Sequence, residues 1–275
     1  MTRTIHAPGK LMIAGEYAVL DGAPALVLAV DRGVRCTVSD ADALEIHTPD
    51  GDDRFVRPAL EGRTGRYTFA HWNPTGLAEK PGFGSSAAAC VAACVAAGRP
   101  ATDALGLHHD IQGGGSGADV AASIHGGMIR FQQGEATQVP PVQPVVIWSG
   151  KSARTQPLIA QYLSWSDRAD FVRESAAIVD AFHEDPVARL HDNAHLLQHM
   201  AVVAGLQYAT PRLAAIASTA HRLGGAAKPS GAGGGDCAVA LFPDPDAEAA
   251  FRSACSERGW ALIRVGPASG AGASG

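Results

Sequence analysis

Lys80-Pro-Gly-Phe-Gly-Ser-Ser-Ala-Ala-Ala-Cys90 decides how this chain reads, because a glycine-serine turn here runs straight into an alanine-rich helix. Gly82 and Gly84 carry no side chain to keep an anion off the backbone. The helix behind them points its free N–H groups and positive dipole end at whatever sits in the turn. Ser85 and Ser86 add hydroxyls able to bond phosphate oxygens or ligate Mg²⁺, and Lys80 places a compact positive charge just upstream. The stretch therefore reads as a phosphate cradle, although the same residues also suit a flexible turn with a serine helix cap. It has neither the G-x-x-x-x-G-K-[S/T] order of a P-loop nor the spacing of a dinucleotide-binding turn.

Composition narrows the classes around that turn. With 275 residues, 46% of them hydrophobic, the chain can fill one large core or two modest ones. A net charge of −5 and a pI near 6.1 offer no basic face for nucleic acid. Five cysteines, Cys36, Cys90, Cys94, Cys237 and Cys255, are odd in number and lack metal-ligand spacing, so they read as reduced thiols of a cytoplasmic protein. No segment has the form of an export signal, and the longest apolar run, Ala87 to Ala97, is too short to span a bilayer. No membrane partner is expected. Only four of the 22 basic residues are lysines, Lys10, Lys80, Lys151 and Lys228, and each falls in or beside a glycine-bearing motif. Lysine suits a reacting phosphoryl group as a compact charge, so these four ammonium groups are expected to converge on one site.

Along the chain, Thr4 to Ala14 reads as two short strands around a Pro8-Gly9 turn, with Lys10 just past it. Pro24 to Val30 and Gly33 to Val38 follow as strands, and Ser39 to Glu79 shows no clear period. After the alanine helix, a helix over Leu105 to Ile111 leads to Gln112-Gly-Gly-Gly-Ser-Gly-Ala-Asp-Val-Ala121. Its glycines let the backbone close over a ligand, and Asp119 opens a small-residue helix where the dipole favours a carboxylate. Pro144 to Trp148 is a buried strand ending in the polar turn Ser149-Gly-Lys-Ser152, and helices are expected over Asp167–His183, Pro186–Tyr208 and Pro211–Leu223. His191, His195 and His199 share one helix face and, having no acidic partner at ligand spacing, are read as packed or solvated rather than as a metal stripe. Lys228-Pro-Ser-Gly-Ala-Gly-Gly-Gly-Asp236 can form an anion-binding nest before the strand Cys237 to Phe242, and a helix from Asp246 and a strand from Ala261 complete the chain. The glycine- and serine-bearing residues 266–275 are expected to be a flexible tail.

Five of these stretches together resemble the motifs of the GHMP small-molecule kinases. Gly82 to Ala87 is similar to the Gly-Leu-Gly-Ser-Ser-Ala of that family's nucleotide loop, Pro-x-Gly-Leu-Gly-Ser-Ser-Ala, with Phe83 where leucine is usual. Ala7-Pro-Gly-Lys10 followed by Gly15-Glu-Tyr-Ala-Val-Leu20, the Gln112 to Ala121 stretch, Trp148-Ser-Gly-Lys-Ser-Ala153 and Lys228 to Asp236 resemble the wording of its phosphomevalonate kinase branch. The resemblance implies an α+β, two-domain GHMP kinase fold: an N-terminal α/β domain with a mixed sheet over 1–140, a C-terminal ferredoxin-like domain over 141–265, and the active site in the cleft between them.

It further implies ATP and Mg²⁺, with Lys10 and Asp119 catalytic. The nucleotide would be held by Lys80, Pro81, Gly82, Phe83, Gly84, Ser85 and Ser86, and the metal by Ser86. A small-molecule acceptor such as phosphomevalonate would be bound by Glu16, Tyr17, Ser116, Ser149, Lys151, Ser152, Ser230, Gly231, Ala232 and Gly233. Mevalonate kinases usually carry a metal-binding glutamate eleven residues before that aspartate, where this chain has His108, a poor Mg²⁺ ligand. The expected activity is phosphoryl transfer to phosphomevalonate by a monomer or homodimer. A GHMP alcohol kinase such as mevalonate kinase, a diphosphomevalonate decarboxylase, and a non-catalytic ligand sensor on the same fold are the other readings.

Overall fold

The computed structural model describes residues 2–274. Its first sheet is built on β1 (Arg3–Ala14), paired antiparallel with β2 (Ala25–Ser39). The expected Pro8-Gly9 turn is not formed. β1 runs through both residues as one strand, and its pairing slips between Ala7 and Gly9, where Pro8 has no N–H to give to the ladder. Three residues of β2 stand opposite Pro8 alone at this irregularity, and the side chains of both strands change faces across it. Upstream, Ile5 and Ala7 pack with the alanine helix α2 (Ser85–Ala96), whereas downstream Leu11 and Ile13 pack toward the second half of the molecule. Lys10 thereby joins Met12 on the helix side of the sheet.

The stretch without a clear period contributes β3 (Leu44–His47), the single turn α1 (Arg57–Leu60) and β4 (Gly65–Trp72), with β3 and β4 parallel. β4 continues the sheet on the second half of β2, while β5 (Met128–Gln132) pairs with its first half and with β6 (Glu135–Val139), so the sheet is mixed as expected. α2 is buried along most of its surface, which explains its small side chains: alanine lets it lie close to β1 and β2 with α3 (Asp103–Gln112) and α4 (Ala118–His125) behind.

The second sheet comprises β7 (Val145–Trp148), β8 (Ala226–Pro229), β9 (Cys237–Leu241) and β10 (Leu262–Ile263), in the antiparallel, ferredoxin-like order β10-β7-β9-β8. Its strands are apolar on both faces. Val145, Ile147, Ala238 and Ala240 meet α8 (Pro211–Arg222) and α9 (Pro245–Glu257), while Val146, Trp148 and Val239 share a core with Leu11, Leu26 and Met128 of the first sheet. Val179 of α6 (Ala169–Asp180) and Leu190 of α7 (Pro186–Val203) enter that same core. α5 (Thr155–Ser164), which the sequence did not signal, follows the Ser149–Ser152 turn. α7 stops before Tyr208 because Gly205, at φ +70°, lets the Leu206 N–H close back on Ala201. Among the described residues no helix is long and apolar enough to cross a membrane, and all five cysteines are buried free thiols.

The flexible tail expected over 266–275 is corrected for the residues described. Gly275 lies outside them. Gly266 donates to Asp31 Oδ1 at 2.8 Å, Gly127 donates to the Ala268 carbonyl at 2.8 Å, and Ala271 donates to the Ser123 carbonyl at 2.9 Å. β11 (Gly272–Ser274) then adds to the free edge of β1. Glycine and serine served here for close approach, since at Gly270 a Cβ would collide with the Ile124 carbonyl at the end of α4. The tail straps the last strand back onto the first sheet. Ending the chain after Val265 should lower the melting temperature by at least ~5 °C, at roughly 2–4 °C per kcal/mol for a chain of this size. An unchanged calorimetric melt would show that the strap carries no stability.

Candidate active site

The phosphate-cradle turn is fixed at one point, Phe83. Its ring is buried in the core shared by the two sheets, and its carbonyl accepts the Lys10 N–H at 2.9 Å. Gly9 makes this crossing possible, because a Cβ there would overlap the Arg32 carbonyl and stand 2.7 Å from the Phe83 carbonyl. On either side Gly82 and Gly84 take left-handed φ of +83° and +69°, so the backbone folds back to start α2 at Ser85. No side chain caps that helix, which leaves the N–H groups of its first turn for an outside acceptor.

Lys10 and Asp119 meet at Gly84. A Cβ on Gly84 would lie 3.3 Å from Lys10 Cε and 3.6 Å from Asp119 Cβ, so the bare glycine leaves the space that both side chains border. Asp119 stands in the first turn of α4, which opens at Gly117 with φ +84°. Lys10 is only 9% exposed, yet among the described residues its ammonium makes no hydrogen bond or ion pair, and neither does the Asp119 carboxylate. Buried charges are ordinarily paired. An ammonium and a carboxylate held apart around an empty glycine corner is an arrangement made for a third, charged group.

The third glycine turn approaches Lys10 from the other sheet, where a Cβ on Gly231 would stand 3.8 Å from Lys10 Nζ. Ser230, expected to touch substrate, is buried and accepts the Met12 N–H at 2.9 Å, fixing this turn to β1. Tyr17, another expected substrate residue, donates its hydroxyl to the Ala232 carbonyl at 2.6 Å. Gly233 packs on the Tyr208 ring and leaves no room for a side chain. Glu16 is 2% exposed and ion-paired with Lys228, with Asn193 donating to its second oxygen at 3.1 Å. Its carboxylate faces protein groups rather than a ligand, which corrects its expected contact with substrate.

Asp236, which the sequence did not mark, is central to the same corner. Its Oδ1 accepts the Ala153 N–H at 2.9 Å, and the rest of the carboxyl lies against Gly82 so closely that only glycine fits. Burial pushes its carboxyl above the usual carboxylate range, opposed by the Ala153 hydrogen bond and the Lys10 charge. The backbone of Asp236 also holds the Ser149–Lys151 turn, through the Ser149 N–H at 2.9 Å and the Lys151 carbonyl at 2.8 Å.

Other expected ligands are spent inside the protein. Ser149 donates its hydroxyl to the Lys151 carbonyl, Ser152 donates to the Lys80 carbonyl, and Ser116 accepts the Ala118 N–H at the start of α4. Convergence of the four lysines fails by half. Lys80 is exposed and paired with Asp50 at 2.8 Å, and Lys151 lines a surface concavity of about 570 Å³ with Arg212 and Trp260, whose walls include none of Lys10, Gly84 and Asp119. Lys10 and Lys228 do come together.

Ser86 is hydrogen-bonded to His108 Nε2 at 3.2 Å, and the His108 ring lies tilted against Phe55 with centroids 5.1 Å apart. Burial lowers the imidazole pKa, against the pull of the Asp119 charge. No cluster of three metal-binding side chains occurs among the described residues. The Ser86 hydroxyl and Asp119 carboxylate nonetheless supply the hard oxygens that suit a Mg²⁺ arriving with phosphate oxygens of its own.

Known proteins align with this chain over most of its length. Residues 178–259 match a family model described as "GHMP kinases C terminal". The chain is 31% identical to a phosphomevalonate kinase of Streptomyces sp. (strain CL190), over 90% of this chain and 91% of that one. It is 28% identical to a mevalonate kinase of Pyrococcus abyssi, over 89% and 90%. Among solved structures, a Lin0012 protein from Listeria innocua superposes with a TM-score of 0.87 at 23% identity, covering 100% of this chain and 99% of that one. Streptococcus pneumoniae phosphomevalonate kinase in complex with phosphomevalonate and AMPPNP superposes with a TM-score of 0.79 at 19% identity, covering 98% and 100%.

The Gly82–Asp236 contact can be separated from backbone strain. Gly82→Ala should cost about 2 kcal/mol more in a denaturant melt than Gly98→Ala, which has φ +70° but open space at its Cβ position. Equal losses would leave the contact without a role.

Proposed function

The chain belongs to the GHMP kinase family, and from that premise we propose that it transfers the γ-phosphoryl group of ATP to phosphomevalonate, giving diphosphomevalonate and ADP. The observation that carries the reading is the Lys10 side chain, 9% exposed and without a hydrogen-bonded partner among the described residues, bordered by Gly84 before α2 and Gly231 after β8, with Asp119 across the same corner. Residues 1–140 and 141–265 are taken as the two domains that enclose it.

Phosphoryl transfer asks a protein mainly for positioning and for positive charge on the equatorial oxygens. The N–H groups from Gly82 to Ser86 would hold the ATP phosphates at the start of α2, and Lys10 would sit on the migrating group. An acceptor phosphate oxygen bonds to the γ-phosphorus as its bond to the β,γ-bridging oxygen breaks, and ADP leaves with that oxygen. A Mg²⁺ bound with the nucleotide would neutralise phosphate charge, with Ser86 and Asp119 as the side chains placed to hold it.

Asp119's task depends on the acceptor. A phosphate monoester, with second pKa about 6, is largely an oxyanion at neutral pH, whereas an alcohol must lose its proton. On phosphomevalonate Asp119 then chiefly orients Lys10 and the incoming oxygen. The Streptomyces relative favours phosphomevalonate; the archaeal relative at 28% identity favours mevalonate, which is the second reading.

A coupled ADP-release assay across phosphomevalonate, mevalonate and homoserine decides between them, and turnover of mevalonate alone would overturn the first reading. Lys10→Met should lower kcat by ~10²–10³-fold. Asp119→Asn should retain at least ~10-fold more of the wild-type rate on a phosphorylated acceptor than on an alcohol, since general-base work is worth roughly 10²–10⁴ in rate.

A further inference from the structure

We propose that the buried Glu16–Lys228 pair, completed by Asn193, is a positioning device that sets the Ser230–Gly233 turn against Lys10, an inference that rests on Lys10 being the cation at the transferred group. Lys228 is 1% exposed and does not have the geometry of a phosphate ligand. Its ammonium is used up on Glu16 Oε1, the Met12 carbonyl at 3.3 Å and the Pro229 carbonyl at 3.1 Å. Glu16 is equally committed, its Oε1 also accepting the Gly231 N–H at 3.4 Å and its Oε2 the Asn193 amide from α7.

Each partner of this network belongs to a segment that builds the site. Met12 lies two residues beyond Lys10 on β1, Glu16 follows the same strand, and Gly231 is the residue whose backbone borders the Lys10 ammonium. The chain of contacts therefore runs from Lys228 through the Glu16 carboxylate to the Gly231 N–H, and from there to Lys10. A buried ion pair is a poor source of stability, because removing both charges from water consumes most of what their attraction returns. What such a pair does well is fix register. Hydrogen bonds of set direction specify where the third turn stops, which the apolar packing of Ala226 and Ala227 around Lys228 would leave loose.

The test compares Lys228→Met, Glu16→Gln and the double variant Glu16→Met/Lys228→Met. Four quantities are read for each: melting temperature, KM for ATP, kcat with whichever acceptor the wild-type protein uses, and the slow hydrolysis of ATP without acceptor. Lys228→Met alone leaves a carboxylate buried without its counter-charge and should melt well below wild type. The double variant carries no buried charge and should melt within about 5 °C of wild type. It should hold ATP with KM within about threefold, and yet lose at least ~30-fold in kcat and in acceptor-free hydrolysis, the cost of a displaced turn. Glu16→Gln leaves the Lys228 ammonium buried without its counter-charge and should also melt below wild type, but it keeps an acceptor oxygen for Gly231 and Lys228 and should retain at least about a third of kcat.

The proposal is overturned if the double variant keeps kcat within about threefold, if its KM for ATP rises in step with the loss of kcat, or if it fails to fold, since the pair would then be irrelevant to the site or a requirement of the core. A wild-type protein that phosphorylates none of the acceptors would sink the proposed function, while the hydrolysis comparison would still decide this inference.

Discussion

The molecule depends on a crossing where three backbones meet with no room for a side chain. β1 at Gly9, the slipped part of β2 at Arg32 and the phosphate-cradle turn at Phe83 approach so closely that any Cβ on Gly9 would overlap carbonyl oxygens. Because the Phe83 ring is anchored in the common core and its carbonyl takes the Lys10 N–H, the position of the anion cradle and the position of the cation are one constraint. The slip at Pro8 belongs to it as well, since without that exchange of faces Lys10 would point toward the second sheet instead of toward Gly84 and Asp119.

Burial brings the two halves together and hydrogen bonds decide how they are set. Leu11, Leu26 and Met128 from one sheet and Val146, Trp148 and Val239 from the other form one apolar cluster, a non-directional attraction that would tolerate sliding. Three directional contacts join the halves at the site end of that cluster. Met12 to Ser230, Tyr17 to Ala232 and Glu16 to Lys228 each join the first strand and the turn after it to the third glycine turn, more than 200 residues on. Tyr208 packs on Gly233 beneath this turn, and its buried hydroxyl makes no hydrogen bond, so its contribution is shape.

The sequence was legible where chemistry is local. Glycine turns ahead of small-residue helices announced the anion cradle and Asp119, and a Lys-Pro-Ser-Gly run before an apolar strand announced the third turn. It misled where a local pattern has two structural outcomes. Pro8-Gly9 reads as a turn but serves as a slip inside a strand, and a glycine-rich tail reads as loose although its small residues let it lie flat on α4 and β1. Roles set by distant partners were least visible. Glu16 and Lys228 have the side chains of ligands, and only pairing across 212 residues shows that each is spent on the other. Asn193 sits in a helix with no distinguishing neighbours, and Asp236 closes the Lys228–Asp236 stretch with nothing beside it to announce its contact with Gly82. The one available signal was Lys228 itself, a lysine between Ala226-Ala227 and a proline, where a solvated charge would be out of place.

Once these pairs are made, few of the four lysines remain for an anionic ligand in a chain of net charge −5. Lys80 is neutralised by Asp50 and Lys228 by Glu16, which leaves Lys10 as the lysine whose charge is both near the glycine corner and unspent. In the proposed reaction much of the attraction for phosphate would come from the uncapped backbone N–H groups at the start of α2. Such dipoles are fixed by the fold and need no reorganisation when charge shifts between oxygens. Lys10 completes them in a different way. Its side chain is 9% exposed and its ammonium has no hydrogen-bonded partner among the described residues, which leaves that charge for an anion entering between Lys10 and Asp119. A neutral molecule offers that charge no partner, and in the proposed reaction the group that would meet it is the phosphoryl group in transfer.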